Sequence, residues 1–202
     1  MKKLNLFIAI ATILIFFFMY LETLKLPQEK EIENNHSVDI VVGEVIDATI
    51  IQAESTYPKY DIPLSPDLQE YIWNLSNEYE ISYEMVLAVI YVESGFRPYV
   101  ISRTGDYGLM QLNGVYMHIR AEAAGVYNFE PLNMFDNVRV GIHLLSGEIN
   151  YWRSQEIGEE NVFVYALGSY NRGRYGLRKY GIPWRYVNKV SDYKSRLEQQ
   201  NL

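Results

Sequence analysis

The carboxylate at Glu93 is the first candidate for chemistry, because the sequence places it at the end of an apolar helix. The helical spacing of apolar residues begins after Ser82, a residue type that caps helices, and Gly95 and Pro98 end the pattern just after Glu93. Apolar neighbours and the negative end of the helix dipole both disfavour a charged carboxylate, so we expect a raised pKa. Such a group can act as a general acid. An exposed Glu at a frayed helix end is the alternative that this window leaves open.

A second group of polar residues follows Glu93 within a short distance along the chain. Residues 95–106 have turn residues and little apolar periodicity, which predicts a loop or small hairpin that forms one wall of a cleft. Asp106 ends this stretch and supplies another carboxylate, and residues 108–111 read Gly-Leu-Met-Gln. Gly permits a close approach of the backbone to a ligand, and Gln offers both a donor and an acceptor.

Three motifs, in order along the chain, resemble those of the soluble lytic transglycosylases, a peptidoglycan-cleaving family of the lysozyme-like superfamily. The first is similar to Glu-Ser-x-Phe with a later Ser and Gly-x-x-Gly-Leu-Met-Gln, the second to Ala-x-x-x-Tyr-Asn-x-Gly, and the third to a Tyr-Val-x-x-Val helix start. The matching residues are Glu93, Ser94, Phe96, Ser102, Gly105, Gly108, Leu109, Met110 and Gln111, then Ala166, Tyr170, Asn171 and Gly173, then Tyr186, Val187 and Val190. The resemblance covers about residues 63 to 195.

The resemblance implies a mainly α, lysozyme-like domain and cleavage of the β-1,4 bond between N-acetylmuramic acid and N-acetylglucosamine. Glu93 would act first as acid and then as base toward the C6 hydroxyl of the sugar, which closes a 1,6-anhydro ring. Tyr170 would orient Glu93 through its hydroxyl. The residues expected to bind substrate are Ser102, Asp106, Gly108, Leu109, Met110, Gln111, Asn171 and Tyr186. No cofactor or metal is implied.

Asp106 leaves the mechanism open. Many members of the family carry Gly-Ala where this chain has Gly105, Asp106 and Tyr107, and the Asp also resembles the second catalytic carboxylate of animal-type lysozymes. A muramidase that hydrolyses the bond with Glu93 and Asp106 is therefore the main alternative. A non-catalytic peptidoglycan-binding module of an envelope assembly is another, although the intact motifs count against it.

Composition narrows the range of partners. The chain has 202 residues, 49% of them hydrophobic, which suffices for one well-packed domain and an appendage. A net charge of −7 argues against nucleic-acid binding, which needs clustered cations. There is no Cys, so disulfides and thiolate metal sites are excluded, and the three His residues do not have metal-ligand spacing.

The first 24 residues are predicted to anchor the chain in a membrane. Lys2 and Lys3 precede an 18-residue run, 4–21, broken only by Asn5 and Thr12, which would span about 27 Å as a helix. The two lysines orient the rest of the chain outward, to the cell wall or periplasm. A cleaved signal peptide is the alternative, but no small-residue cleavage pattern follows the run.

Residues 25–62 are expected to form a stalk or linker, with a possible short β element in the β-branched cluster of residues 38–51. A helical domain is predicted over residues 63–202. Its expected elements are a helix opened by Ser65 and Pro66, a helix from Ser82 to Ser94, a helix from Val115 to Ala124, a long helix capped by Asp136, a helix from Glu160 to Leu167, a turn region from Gly168 to Gly176, and a last helix from Trp184 to Gln199.

Overall fold

A computed structural model describes residues 57–200 of the protein, and the predicted anchor, most of the stalk and the β-branched cluster lie outside this range. The described part is mainly helical, with one short hairpin. Its elements are α1 (Pro66–Glu78), α2 (Tyr83–Ser94), β1 (Asp106–Tyr107), β2 (Leu112–Asn113), α3 (Met117–Ala123), α4 (Met134–Arg153), α5 (Glu159–Tyr180) and α6 (Trp184–Gln200). No helix within residues 57–200 has the length and apolar character needed to cross a membrane.

The first two helices begin where the sequence predicts them. Ser65 caps α1 by accepting a hydrogen bond from the backbone N–H of Leu68, and Ser82 caps α2 in the same way. Gly95 ends α2 in the left-handed conformation, at φ 61°, which glycine adopts without steric cost. These caps determine where α2 stops and therefore where Glu93 lies.

The core forms around α2. Residues Val86 to Ile90 have no solvent exposure, and α2 packs against α6 on one side and α1 on another, while α4 packs against α5. Residues before the predicted domain boundary also contribute, because Tyr57 and Tyr60 are buried and the Tyr60 backbone N–H donates to Gln69. The end of the predicted stalk therefore packs on the domain.

The long helix α4 begins earlier than predicted. Its N-cap is Asn133, whose side chain accepts hydrogen bonds from the backbone N–H groups of Phe135 and Asp136. Asp136, the predicted cap, lies in the first turn, where its carboxylate accepts a hydrogen bond from the backbone N–H of Glu130. Both residue types favour caps, so sequence alone does not distinguish them.

The turn predicted for residues 168–176 is confined to Gly173 in the structure. Its backbone, with φ 69° and ψ 155°, is not helical, so α5 consists of two helical segments that meet at this residue. Gly168 is buried within the helix, and a Cβ there would lie only 2.8 Å from Cδ1 of Leu177. This glycine therefore serves close packing, which the composition-based prediction mistook for a turn.

A small hairpin is present, but it lies later in the chain than residues 95–106, for which the loop or hairpin was predicted. Strands β1 and β2 are antiparallel, with Asp106 opposite Asn113 and Tyr107 opposite Leu112, and a bridge from Ile101 to Tyr107 extends the pairing back into the predicted segment. Asp106 therefore lies on the first strand of this hairpin.

Candidate active site

Glu93 lies in the last turn of α2, half-buried, with one oxygen held by a neighbouring hydroxyl. The hydroxyl of Tyr186, in the first turn of α6, donates to Oε1 of Glu93 at 2.7 Å. The pKa of Glu93 is raised to about 7. Burial is the largest cause, the hydrogen bond from Tyr186 opposes the rise, and the negative charge of Asp106 adds to it. A carboxyl group with this pKa is substantially protonated at neutral pH and can donate its proton to a nearby acceptor.

The end of α2 is held in place by aromatic packing. Phe96, directly after the capping glycine, is buried at a positive φ of 62°, a backbone conformation that is unusual for a bulky side chain. Its ring packs against Tyr91 and Tyr193, which stack on each other with ring centroids 3.8 Å apart. These contacts join α2 to α6, the two helices that carry Glu93 and Tyr186.

The hydroxyl that contacts Glu93 belongs to Tyr186 and not to Tyr170, for which the resemblance implied this contact. The hydroxyl of Tyr170 donates to the backbone carbonyl of Met110 at 2.8 Å, so the structure gives the hydrogen bond to Glu93 to Tyr186 instead. Burial raises the pKa of Tyr170 well above its ordinary value, and the negative charge of the nearby Glu93 raises it further. The sequence placed Tyr186 among the substrate contacts, and only the packing of α6 against α2 reveals its contact with Glu93.

Asp106 is surrounded by hydrogen-bond donors. Its Oδ2 accepts from the hydroxyls of Thr104, at 2.6 Å, and Ser102, at 2.8 Å, and its Oδ1 accepts from the side-chain amide of Asn113 at 2.9 Å. Burial alone would raise the pKa of Asp106, but the three hydrogen bonds outweigh it and lower the pKa below its ordinary value. Asp106 is therefore an anion at neutral pH.

Ser102 organises the hairpin. Its oxygen accepts hydrogen bonds from the backbone N–H groups of Thr104, at 3.2 Å, and Asp106, at 3.0 Å, while its hydroxyl donates to the Asp106 carboxylate. These bonds define the turn that precedes β1. The predicted sugar contact of Ser102 stays a prediction.

The Gly-Leu-Met-Gln loop is anchored by a residue that the sequence analysis missed, Asn137 on α4. Its side chain is fully buried, accepts a hydrogen bond from the backbone N–H of Met110, and donates to the carbonyls of Tyr107 and Pro131, each at 2.9 Å. A Cβ on Gly108 would lie 2.3 Å from the amide nitrogen of Asn137. Any side chain at residue 108 would collide with Asn137, so this position requires glycine. The sequence signal that could have revealed Asn137 is its position as a polar residue on the apolar face of α4.

The other loop residues face inward. The side chains of Leu109 and Met110 have no solvent exposure, which gives them a packing role, and their predicted contacts with sugar stay predictions. Gln111, at a positive φ of 48°, donates its side-chain amide to the carbonyls of Val100 and Gly108. Its amide hydrogens are therefore used to hold the loop.

Two clefts meet at Glu93. One of about 420 Å³ runs between the end of α2 and α6, and the other of about 530 Å³ runs between α5 and α6. Both are lined by Val92, Glu93 and Lys189, and the exposed Asn171 lines the second. Within residues 57–200, no three His, Asp or Glu side chains are grouped as metal ligands.

The site thus combines a helical domain, a carboxyl group of raised pKa and two clefts that meet at that group, an arrangement that suits general acid–base chemistry. The chain belongs to the transglycosylase SLT domain family, because the model of that family matches residues 70–184, more than half of the chain. Glu93, Asp106, Tyr170 and Asn171 lie within the matched residues, and Tyr186 lies just beyond them.

The chain is similar to named lytic transglycosylases. It is 33% identical over 112 residues to membrane-bound lytic murein transglycosylase F of Desulfosudis oleivorans, a match that covers 54% of this chain and 22% of the relative. It resembles the structures of an inactive mutant of lytic transglycosylase Slt from Pseudomonas aeruginosa and of the 70 kDa soluble lytic transglycosylase from Escherichia coli, with TM-scores of 0.57 and 0.54 and identities of 19% and 20%. Each structural match covers 69% of this chain and 25% of the other. The chain thus spans about a quarter or less of the length of these relatives.

Proposed function

We propose that residues 63–202 form a peptidoglycan lytic transglycosylase that cleaves the β-1,4 bond between N-acetylmuramic acid and N-acetylglucosamine. The observation that carries the proposal is the half-buried Glu93, with a pKa of about 7, at the junction of two clefts. Membership of the transglycosylase SLT domain family supports the reaction type, and the names of the relatives support the substrate.

Glu93 carries both proton transfers of the proposed reaction. It first protonates the glycosidic oxygen as positive charge builds at the anomeric carbon of muramic acid. The resulting carboxylate, held by the hydroxyl of Tyr186, then takes the proton from the C6 hydroxyl of the same sugar, whose oxygen closes a 1,6-anhydro ring. The N-acetyl group of the substrate stabilises the intermediate, so this route needs no second enzyme carboxylate.

A muramidase that hydrolyses the same bond is the second candidate, and Asp106 is the observation that favours it. The carboxylate of Asp106 is held as an anion by three hydrogen bonds and is close enough to raise the pKa of Glu93. In this alternative Asp106 would stabilise the positive charge on the sugar or activate a water molecule.

Products distinguish the two reactions. Purified peptidoglycan digested in water enriched in oxygen-18 should yield muramic ends that are one water lighter than reducing ends and contain no label. The wild-type protein and its Glu93→Gln variant are compared in parallel, so that a contaminating activity is recognised. Labelled reducing ends would establish hydrolysis and overturn the proposed ring closure.

The first 24 residues are proposed to hold the domain at the outer face of a membrane. The length of the apolar run supports this, and one relative is named as membrane-bound. Fractionation of cells should recover the protein with the membranes, and extraction should require detergent. Soluble exported protein with an N-terminus near residue 25 would contradict the anchor.

A further inference from the structure

A largely buried ion pair joins α4 to the second segment of α5, which comprises residues 174–180. The Nε of Arg174 donates to Oε2 of Glu148 at 2.8 Å, and the guanidinium of Arg174 lies 3.6 Å from the ring centroid of Tyr151. The side chain of Glu148 is 11% exposed, whereas the carboxylates of the other ion pairs within residues 57–200 are 46 to 61% exposed. Water therefore screens this pair the least. We call Arg174, Glu148 and Tyr151 the α4–α5 clamp.

The segment that the clamp holds is short and lies between two glycines. Gly173 and Gly181 have φ values of 69° and 73°, and neither backbone conformation is helical. A helix of about two turns is not stable by itself in water. The position of this segment therefore depends on its contacts with the rest of the domain, of which Leu177 supplies the buried apolar one and Arg174 the charged one.

The same segment leads into the helix that presents Tyr186 to Glu93. A Cβ on Gly168 would lie 2.8 Å from Cδ1 of Leu177 and 3.2 Å from Cδ of Pro183, so both residues pack against this glycine in the first segment of α5. The carbonyl of Pro183 accepts the backbone N–H of Tyr186 at 2.8 Å, which starts α6. A displacement of the second segment would therefore move the first turn of α6.

The later turns of α6 are held by a different contact. Tyr193 stacks on Tyr91 of α2, with ring centroids 3.8 Å apart. Tyr186 precedes Tyr193 by about two turns of helix, so this stacking leaves the position of the first turn dependent on α5.

We propose that the α4–α5 clamp positions the active site: it fixes residues 174–180 and thereby keeps the hydroxyl of Tyr186 within hydrogen-bond distance of Glu93. The inference rests on the proposed function for the catalytic role of Glu93. The clamp residues line neither of the two clefts, so they act through the backbone and not by contact with substrate. The bond from Tyr186 to Glu93 is 2.7 Å long, and a displacement of about 1 Å would break it.

Groups from three elements surround the carboxyl group of Glu93. Tyr186 on α6 lowers its pKa, Asp106 on β1 raises it, and Tyr170 on α5 lies nearby with its hydroxyl bonded to a backbone carbonyl. The charged side chains that line the clefts with Glu93 are Arg97, Arg172, Arg185, Lys189, Asp192 and Arg196. All of these remain when the clamp is removed, so a change in the pKa of Glu93 then reports a change in geometry.

Titration of Glu93 by NMR tests the inference without requiring catalysis. The full chain in detergent is labelled with carbon-13 at the glutamate carboxyl groups, and the signal of Glu93 is the one absent from Glu93→Gln. The variant combines Arg174→Met with Glu148→Gln, which leaves no buried carboxylate unpaired and keeps the net charge. Its Glu93 should have a pKa raised by up to about one unit, because the bond from Tyr186 is worth no more than that. An unchanged pKa would overturn the inference.

A double-mutant cycle with Tyr186→Phe assigns the shift to the hydrogen bond. In the Tyr186→Phe background, removal of the clamp should leave the pKa of Glu93 where Tyr186→Phe alone puts it, because the bond is already lost. A shift in this background as large as in the wild type would overturn the inference, since the clamp would then act on Glu93 by another route.

The chain offers a matched control at the other end of the same two helices. Arg153 on α4 pairs with Glu159 on α5 at 2.7 Å, and both side chains are about half exposed. The variant that combines Arg153→Met with Glu159→Gln should leave the pKa of Glu93 unchanged within the error of the titration. A shift as large as that of the clamp variant would show a general response to the loss of an ion pair and would overturn the inference.

Arg174→Lys is a milder variant for the case in which the double variant does not fold. The ammonium group keeps a positive charge beside Glu148, but it lacks the flat guanidinium that lies over Tyr151. It should raise the pKa of Glu93 in the wild-type background and not in the Tyr186→Phe background. No shift in folded Arg174→Lys would then overturn the inference.

Cleavage of peptidoglycan separates this inference from the proposed function. In an active enzyme, the alkaline limb of kcat/KM should move to higher pH in the clamp variant by as much as the titrated pKa, while KM stays close to that of the wild type because the clamp lines neither cleft. Absence of cleavage by the wild type would reject the proposed function, and the titration would still decide whether the clamp positions Tyr186. A pKa shift with an unmoved limb would overturn the link between the clamp and catalysis.

Discussion

The two carboxylates of the site, Glu93 and Asp106, differ in almost every property of their surroundings. Glu93 ends a buried helix, accepts one hydrogen bond and has a pKa raised to about 7 by burial. Asp106 lies on a hairpin, accepts three hydrogen bonds and has a lowered pKa. The same functional group is therefore protonated in one place and ionised in the other at neutral pH.

This difference indicates how the domain assigns roles to its acids. A pair of titratable groups whose environments move their pKa values apart provides an acid and an anion near each other. The negative charge of Asp106 raises the pKa of Glu93 and so favours the form that can donate a proton. Within the proposed function, this difference suits Glu93 to proton transfer and Asp106 to a supporting charge.

The largest expected effect is that of Glu93→Gln. The amide keeps the shape and can still accept the hydrogen bond from Tyr186, but it cannot donate the proton. General acid–base catalysis contributes about 10² to 10⁴-fold, and here one group serves both steps, so nearly all turnover should be lost. Turnover of wall fragments by purified variant and wild type measures this. Activity within a few-fold of wild type would refute the role of Glu93.

Stability of the same variant provides the folding control, with a definite sign. The folded-state pKa of about 7 lies above the ordinary value of 4.5, so the folded protein binds this proton more tightly than the unfolded chain. The stability contributed by Glu93 is fully present below pH 4.5 and is lost as the pH rises through 7. Glu93→Gln should therefore be more stable than wild type at pH 8, by up to about 3 kcal/mol, and equally stable near pH 4. Thermal melting at both pH values measures this.

The next effect in size is that of Asp106→Asn. An amide has the shape of the carboxylate, its Oδ1 can still accept from Asn113, and the hydroxyl of Thr104 can accept from its nitrogen. The bond with Ser102 is lost, because the Ser102 oxygen already accepts two backbone N–H groups. If Asp106 only supports Glu93, activity should fall modestly, by about tenfold or less, and the products should remain 1,6-anhydro sugars. Loss of the negative charge should also lower the pKa of Glu93, which moves the alkaline limb of the pH–rate profile to lower pH.

A hydrolase would respond differently to the same change. If Asp106 acts as the second catalytic carboxylate, turnover should be abolished, and the wild-type products should incorporate oxygen-18 from water. Ser102→Ala offers a comparison, because it removes the hydroxyl that donates to the Asp106 carboxylate, together with the two backbone bonds that this oxygen accepts, but leaves the charge of Asp106 in place. It should therefore raise the pKa of Asp106 and keep most of the activity.

The half of the comparison that involves Glu93 was largely predictable from the sequence. The caps at Ser65 and Ser82 and the glycine at Gly95 are local signals, and they correctly locate the helix that ends at Glu93. Burial of Glu93 and the direction of its pKa also follow from the apolar neighbours. The motifs that resemble the transglycosylase family identify the loop that faces this helix, and the match to the family confirms that resemblance.

The contacts between distant elements were not predictable in the same way. The bond from Tyr186 to Glu93 joins α6 to α2, and the bonds of Asn137 join α4 to the Gly108 loop. Neither contact has a local signature, since a Tyr in a helix usually packs and an Asn usually lies at the surface. Helix α5 shows the same limit, because Gly168 looks like a turn residue until Leu177 and Pro183 pack against it.

The smallest expected effect concerns Tyr186→Phe, which removes the hydrogen bond to Glu93 and keeps the aromatic ring. The hydroxyl of Tyr186 stabilises the charged form of Glu93, so its loss should raise the pKa of Glu93 above 7. A hydrogen bond is worth about 0.5 to 1.5 kcal/mol, which corresponds to a shift of up to about one pKa unit. The alkaline limb of kcat/KM should therefore move to higher pH, opposite to the shift expected for Asp106→Asn.

The opposite signs of these two shifts make the comparison testable within one pH series. Tyr175→Phe is the control, because Tyr175 lies on α5, lines neither cleft, is 73% exposed and is not hydrogen-bonded to Glu93. Its pH profile should match that of wild type. If Tyr186→Phe left the alkaline limb unchanged while lowering kcat several-fold, Tyr186 would act by positioning the carboxyl group toward the bond rather than by stabilising its charge. If Tyr186→Phe and Asp106→Asn moved the limb in the same direction, the titrating group would not be Glu93, and the assignment of acid and anion to the two carboxylates would fail.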